Sequence, residues 1–600
     1  MKKNHLIFSA LSFVLVAPAV FGQNFNPTVE VTNAYQVKPS DVHKPGIGMN
    51  IPDSLMRFDL DFNYEVFDAR YGGSYNFKPY MLDMQPGKDA WRGRTLYLKA
   101  GAGYPLHPEL EFVFSPDMTG RFQYSIYATH RSFLGNYHKL APKREEGTPD
   151  GWMFGKSGGL YKGYDLLTTA GFDGRVNWDK ALFSFGVGYY GLATKDTLAK
   201  RSYNAADFNL RVSSKGNQGT FFLYDAGLSG RFANDDLQVG GLPFPDPQLN
   251  PGKHRLNESY FILDGEAGPV LDDTHRFLVG FEGSTYSYGN LFKGSFGRIA
   301  AMPHYQFRKG PMDLSLGLRI EGLVRGNQQD SAGFLAISQK KGRTLYPDIH
   351  ASLLVFREHL QLYADLTGGS SQNPYAALIA ANHHLTPYFA WGGNPLIDNG
   401  IERVNARIGF RGGIASRLQF DLRAGGAVYS NGLADGVRIR KGAGTLPDRS
   451  APSVCYADYS LYYADLLLGW KSRKFTLDAG VHYRNTMFGL PEDPGAGPDC
   501  SLFLAPPAFS GNLHAVYSFN PRIYLGLDVE AATGRETKSR PEQTWKIHGY
   551  VDPGLFGGYW ITRKFGIYAK TGNLLNMAIQ RNPLYAESGP WFTAGITLNL

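Results

Sequence analysis

The stretch GPWFTAGITLNL (589–600) decides how the rest of the chain reads. Counting back in steps of two gives Leu600, Leu598, Ile596, Ala594 and Phe592. Between them stand Asn599, Thr597, Gly595, Thr593 and Trp591. Successive side chains of a β-strand point to opposite faces, so this period of two is a strand with one wholly apolar face. In lipid an open strand edge is not tolerated, because its unpaired backbone groups find no water there. The last strand is therefore expected to close against the first, with its apolar face outward.

The same alternation runs back along the chain. PMDLSLGLRI sets Met312, Leu314, Leu316, Leu318 and Ile320 against Asp313, Ser315 and Arg319. RLQFDLRAGGAV sets Leu418, Phe420, Leu422, Ala424 and Val428 against Arg417, Gln419, Asp421 and Arg423. RVNARIGF and RIYLGLDVE repeat the pattern with Ile408, Phe410, Leu525 and Leu527 opposite Arg407 and Asp528. A soluble β-sandwich also alternates, but it packs two sheets on a shared core. Here the second face carries Arg, Asp and Glu along whole strands, which fits lipid outside and a hydrated lumen inside.

The connections point the same way. Short turns stand at NWDK (177–180), LDDTH (271–275), RKGPM (308–312), FREH (356–359), GGIAS (412–416), WKSRK (470–474), FNPR (519–522) and WITR (560–563). Between them lie longer stretches at 133–164, 233–256, 326–343, 370–398, 431–454, 487–504 and 574–589. Short periplasmic turns alternating with long extracellular loops are the pattern of an outer-membrane barrel, and the strand count comes to about 22, an even number as such barrels require. The fold class is all-β: a transmembrane antiparallel β-barrel over residues 95–600.

Composition agrees. Gly numbers 72, Tyr 36 and Phe 40, and aromatics make up 14% of the chain. Girdles and closely packed strands use both kinds of residue. The formal net charge of +8 is weak for this length, and no basic run indicates nucleic acid. The N-terminus carries Lys2 and Lys3, an apolar run from Leu6 to Val16, and Val20 and Gly22 before Gln23. This reads as a signal peptide over 1–22, with no Cys at the cleavage site for a lipid anchor. Residues 23–94 are Pro-rich, Asp-rich and aromatic, and read as extended chain on the periplasmic or lumenal side.

Two stretches carry a family resemblance. KTGNLLNMAIQRNPLYAESGPWFTAGITLNL (570–600) resembles the end of TonB-dependent receptor barrels, with Asn573, Leu574, Leu575, Asn576, Tyr585, Gly589 and Phe592 at the matching positions. GGNPLIDNGIERVNARIGF (392–410) resembles a loop that opens a mid-barrel strand in that family, although the usual Lys-Pro-Glu is missing. YLKAGAGYPLHPELEFVF and FQYSIYATHRSF look like the first strands of plugless receptor-like barrels of the Bacteroidota. The family's plug takes well over a hundred residues, and 23–94 offers roughly half that. The resemblance implies transport or reception of a solute across the outer membrane. Its rival is a non-transporting structural or assembly partner in a larger complex. Partners so implied are lipid, the assembly machinery that reads the last strand, and TonB or a separate plug protein. PTVEVT (27–32) reads either as a TonB-box-like segment or as ordinary extended chain.

Remaining candidates are local. Cys455 and Cys500 fall on loops at the extracellular side of the expected barrel, export permits oxidation, and a Cys455–Cys500 disulfide tying two loops together is expected. Trp178, Tyr189, Trp470 and Trp560 stand near strand ends as membrane-interface aromatics. Trp152, Tyr388, Phe389 and Trp391 fall in long loops, where ligand or partner contact and loop packing are equal readings. His383 and His384 in NHH (382–384) read as solvated loop residues without a third metal ligand. No nucleophile or metalloprotease motif is present, and the His130–Ser132 pair reads as lumenal or girdle polar groups, so neither an enzyme nor a cofactor is expected. A barrel of this size leaks if left empty. Residues 23–94, inward loops or a separate protein are the three ways to block it.

Overall fold

The computed structural model describes residues 95–116, 120–144, 151–197, 199–215, 221–239, 252–329, 337–356, 359–385, 395–414, 417–441, 447–489, 499–537 and 544–600. The segments expected as signal peptide and N-terminal extended chain, 1–22 and 23–94, lie outside them. Three short strands, Asp499–Leu504, Arg535–Glu536 and Thr544–Ile547, stand apart from the ring, and the other 22 of the 25 strands close it antiparallel. Leu96–Tyr104 pairs with Trp591–Asn599 from Tyr97↔Asn599 to Tyr104↔Phe592. Leu96 and Leu600 exchange backbone hydrogen bonds of 3.0 and 2.9 Å, sealing the seam at its lower end.

The short turns gather at one end. Trp178 N–H donates to the Ala181 carbonyl at 2.9 Å, Leu271 to His275 at 3.0 Å, Ser472 to Phe475 at 2.7 Å and Thr562 to Phe565 at 3.0 Å. At the other end the wall height is uneven. Phe122–Arg144 and Gly151–Asn177 run 23 and 27 residues, and Leu418–Lys441 and Pro447–Lys471 run 24 and 25. Much of what reads as long loop at 133–164 and 431–454 is thus strand, since a hairpin pairs its own backbone groups and outlasts the wall beside it. Strands near the seam are far shorter: Glu109–Phe114 has six residues and Phe565–Gly572 eight.

Outward faces are apolar and exposed: Met312, Leu316, Leu318 and Ile320 on one strand, Ile408 and Phe410 on another, Ile523 and Leu525 on a third. On Phe222–Val239 the exposed outward residues run Phe222, Tyr224, Leu228, Phe232, then Asp236 and Gln238. The ten steps from Phe222 to Phe232 cover ~34 Å of strand, or ~24 Å of height at a tilt of about 45°, close to the ~25 Å apolar band of an outer-membrane barrel.

Inward faces carry cross-strand ion pairs. Arg211 reaches Asp225 at 2.7 Å and Asp264 at 3.4 Å, Arg319 reaches Glu282 at 2.8 Å, and Arg407 reaches Asp365 at 2.5 Å. Arg423 reaches Asp465 at 2.8 Å, and Arg308 reaches Asp313 at 2.6 Å. Leu228→Arg, in the outward band, should destabilise the barrel in lipid vesicles by about 2–4 kcal/mol. Ser229→Arg, one residue along on the lumen side, should cost well under half of that by urea titration. Equal costs would mean that inside and outside are misassigned.

Candidate functional site: two segments folded into the lumen

After Leu360–Gln372 the chain forms a short helix, α1, at Tyr375–Ala381 (YAALIAA). Pro374 precedes it with φ −67°, a residue and angle suited to a helix start. Alanines favour the helix, but seven residues are too few to hold it without packing. The packing comes from the inner wall. Tyr375, Leu378 and Ile379, with Leu385, Leu396 and Ile397 beyond, bury against Tyr203, Leu237, Leu256, Tyr286, Tyr288 and Phe296. The returning chain is tied to another part of the wall. Ile397 pairs with Ile337, the Asp398 N–H donates to the Tyr456 hydroxyl at 3.0 Å, and that hydroxyl donates to the Leu396 carbonyl at 3.2 Å.

Buried polar groups pin the segment. Arg201 is 2% exposed. Its Nε donates to Asp235 at 3.0 Å, Nη1 to the His383 carbonyl at 2.8 Å, and Nη2 to the Tyr375 hydroxyl at 2.9 Å and to the Leu385 carbonyl. Tyr375 in turn donates to Asp235 at 2.5 Å. Glu258 accepts from Tyr203 at 3.1 Å, from Tyr288 at 2.9 Å and from the Ala376 N–H at 3.2 Å. The segment thus adds partners to wall charges that the Arg201–Asp235 pair, Tyr203 and Tyr288 already meet in part, as buried charges need.

A second segment, 573–590, enters from the top of Phe565–Gly572. Asn573 closes it. Its Oδ1 accepts from Met577 N–H at 2.9 Å, and its Nδ2 donates to the Met577 and Ser588 carbonyls, each at 3.0 Å. Asn573 and Asn576 take φ of 47° and 52°, a region asparagine enters more readily than other side chains. Arg581 binds Glu530 at 2.8 Å, Asp552 at 2.9 Å and also Glu587, while Gln580 donates to the Phe154 carbonyl at 3.0 Å. Tyr585 donates to Asp196 at 3.0 Å. Burial pushes the Tyr375 and Tyr585 phenols far above their ordinary range, so both remain protonated donors. The two segments meet where His384 stacks on Tyr585, ring centroids 3.9 Å apart and planes at 15°.

This placement changes several sequence expectations. His383 and His384 are not solvated: His383 Nδ1 lies 3.0 Å from Asp165, and His384 Nδ1 lies 3.6 Å from Asp196. The expected Cys455–Cys500 disulfide does not form, and Cys455 is a buried free thiol. Cys455 stands opposite Ala434 and Cys500 opposite Ile439, on the two edges of the same strand. By ordinary strand spacing their backbones are on the order of 19 Å apart, against the ~7 Å limit for a disulfide.

Trp560 is buried, and the exposed aromatic at that strand end is Tyr559, one residue over on the opposite face. Trp178, Tyr189 and Trp470 are exposed, with the Tyr189 hydroxyl donating to Asn204 at 2.7 Å. Phe592, Ala594, Ile596 and Leu600 are exposed and Leu598 half-buried, while Thr593, Thr597 and Asn599 are buried. Trp152 belongs to strand rather than loop, opposite Arg144 and alongside Trp545. Tyr388, Phe389 and Trp391 lie outside the described residues, as does PTVEVT. His130 Nε2 does meet Ser132 Oγ at 3.2 Å, but that hydroxyl also contacts the Pro108 carbonyl at 3.2 Å. Among the described residues no group of His, Cys, Asp and Glu could hold a metal ion.

No family model matches the sequence, and no curated protein matches it. Solved structures do. The siderophore receptor PiuA from Acinetobacter baumannii superposes with a TM-score of 0.60 at 10% identity, covering 85% of this chain and 82% of its own. The FrpB iron transporter from Neisseria meningitidis gives 0.58 at 11%, covering 85% and 81%. A mutant of the ferric enterobactin receptor PfeA from Pseudomonas aeruginosa gives 0.55 at 12%, covering 84% and 80%. The chain shares their barrel fold.

Arg201→Ala would leave Asp235 buried without its cation, a loss of about 3–5 kcal/mol for such a pair. Amide exchange should then accelerate over 375–385 while the lower half of Ala199–Ser214 stays protected. Uniform acceleration along that strand would show that Arg201 holds the wall rather than the segment.

Proposed function

We propose that this chain is an outer-membrane barrel, similar to TonB-dependent receptors, that receives or passes a polar solute through its lumen. The observation that carries the reading is that two of the barrel's own connections fold into a charged lumen and bond to its wall and to each other. The outward apolar band and the likeness to iron and siderophore receptors support an outer-membrane location. A signal peptide over 1–22 would deliver the chain there, and the apolar face of the last strand would serve insertion. In this reading residues 23–94 do not form a full plug, as the resemblance to plugless barrels of the Bacteroidota implies. Residues 373–385 and 573–590 take over the occluding role in this reading. TonB is the partner that would energise their release. Binding and passage need no catalytic group.

Single-channel recording in planar bilayers tests this. The intact protein should show little or no current, and a variant lacking 375–385 should show discrete large openings. Deleting residues 23–94 should leave the current near that of the intact protein. If that deletion alone opens the channel, the N-terminal portion is the plug. A folded 375–385 deletion without current would favour a structural or assembly partner.

A further inference from the structure

Asp196 sits in the tight turn between Ala181–Lys195 and Ala199–Ser214, and it is 8% exposed. Oδ1 accepts the Ala199 N–H at 2.7 Å, which fixes the carboxylate to its own turn. Oδ2 faces the lumen and accepts the Tyr585 hydroxyl at 3.0 Å, with His384 Nδ1 at 3.6 Å. Tyr585 belongs to one occluding segment and His384 to the other. Their rings lie face to face, so each covers the other's flat side. Beside them His383 reaches Asp165, and the Thr194 hydroxyl donates to the His383 carbonyl at 3.3 Å.

We infer that Asp196 is a positioning residue that couples the two segments into one gate. The inference rests on the transport reading, but its test does not depend on conduction. Withdrawing Tyr585 removes a donor from a buried carboxylate and uncovers the His384 ring. Withdrawing His384 uncovers the Tyr585 ring and takes a histidine away from the same carboxylate. Either departure dismantles the junction that holds the other, so opening one segment must favour opening the second. Coupling of this kind is reciprocal: the effect of segment one on segment two equals the reverse.

The test places one reporter cysteine at a time in a Cys455→Ala, Cys500→Ala background, with the full-length protein in vesicles and a membrane-impermeant maleimide outside. Ala376→Cys reports on the helical segment and Ala586→Cys on the C-terminal one. Both positions are buried, at 5% and 2% exposure. Tyr585→Phe removes a single hydroxyl, and should raise labelling at Ala376→Cys about tenfold or more, the scale of a lost hydrogen bond to a buried charge. His384→Ala should raise labelling at Ala586→Cys by a similar factor, and Asp196→Asn should raise both. Ala427→Cys, in a separate buried cluster, should stay unlabelled throughout. Acceleration confined to the mutated segment overturns the coupling. So does acceleration at Ala427→Cys, which would mean general loosening. Segments that label together while no variant conducts would uphold the coupling and defeat the transport reading.

Discussion

Backbone pairing across the seam is the constraint on which everything else rests. A strand in lipid has no water for its N–H and C=O groups, so a sheet that crosses a bilayer must end where it began. Leu96–Tyr104 against Trp591–Asn599 supplies that closure, in register from Tyr97↔Asn599 to Tyr104↔Phe592. Once the ring is closed, strand parity divides every side chain into two classes. Outward residues within the apolar band are aliphatic or aromatic for the most part, and polar ones such as Asp236 and Gln238 stand beyond it. Inward residues are left to face a lumen that the ring itself creates.

That lumen is chemically demanding. Exposed ion pairs such as Arg211 with Asp225 contribute little stability and chiefly keep the wall hydrated. Higher up, Arg201, Asp235 and Glu258 are buried, and besides the Arg201–Asp235 pair and the Tyr203 and Tyr288 hydroxyls they are met by Tyr375, the Ala376 N–H and the carbonyls of His383 and Leu385. The wall and the segment over it therefore specify each other. The segment has too little helix to stand alone, and the wall has charges that require a cover.

Strand parity was legible in the sequence because it depends only on neighbours. PMDLSLGLRI and RLQFDLRAGGAV show their faces without reference to anything distant, and the short turns mark the strand ends. Cross-chain placement was not legible. His383 and His384 look like loop residues because their carboxylate partners, Asp165 and Asp196, lie some two hundred positions earlier. The cysteines look pairable because sequence does not show that strand Asp499–Leu504 takes the far edge of Leu418–Lys441. One local signal did stand in the open. Tyr375, Leu378 and Ile379 have helical spacing inside a stretch too apolar for a solvated loop, and that mark of an inward fold is readable without coordinates. Asn573, at the head of a family-like motif, proves to be the hydrogen-bond hub of its segment.

The uneven wall has a consequence for the surrounding membrane. A transmembrane strand at the usual tilt needs about 9–11 residues, and Glu109–Phe114 and Phe565–Gly572 fall short of it. Lipid beside these two strands would meet a hydrophobic mismatch that lipid on the opposite side would not. The acyl chains there must shorten or splay, at a cost of fractions of a kcal/mol for each ångström. The two strands of the seam, Leu96–Tyr104 and Trp591–Asn599, have nine residues each, so any thinning of the bilayer would flank the line of closure on both sides rather than fall on it.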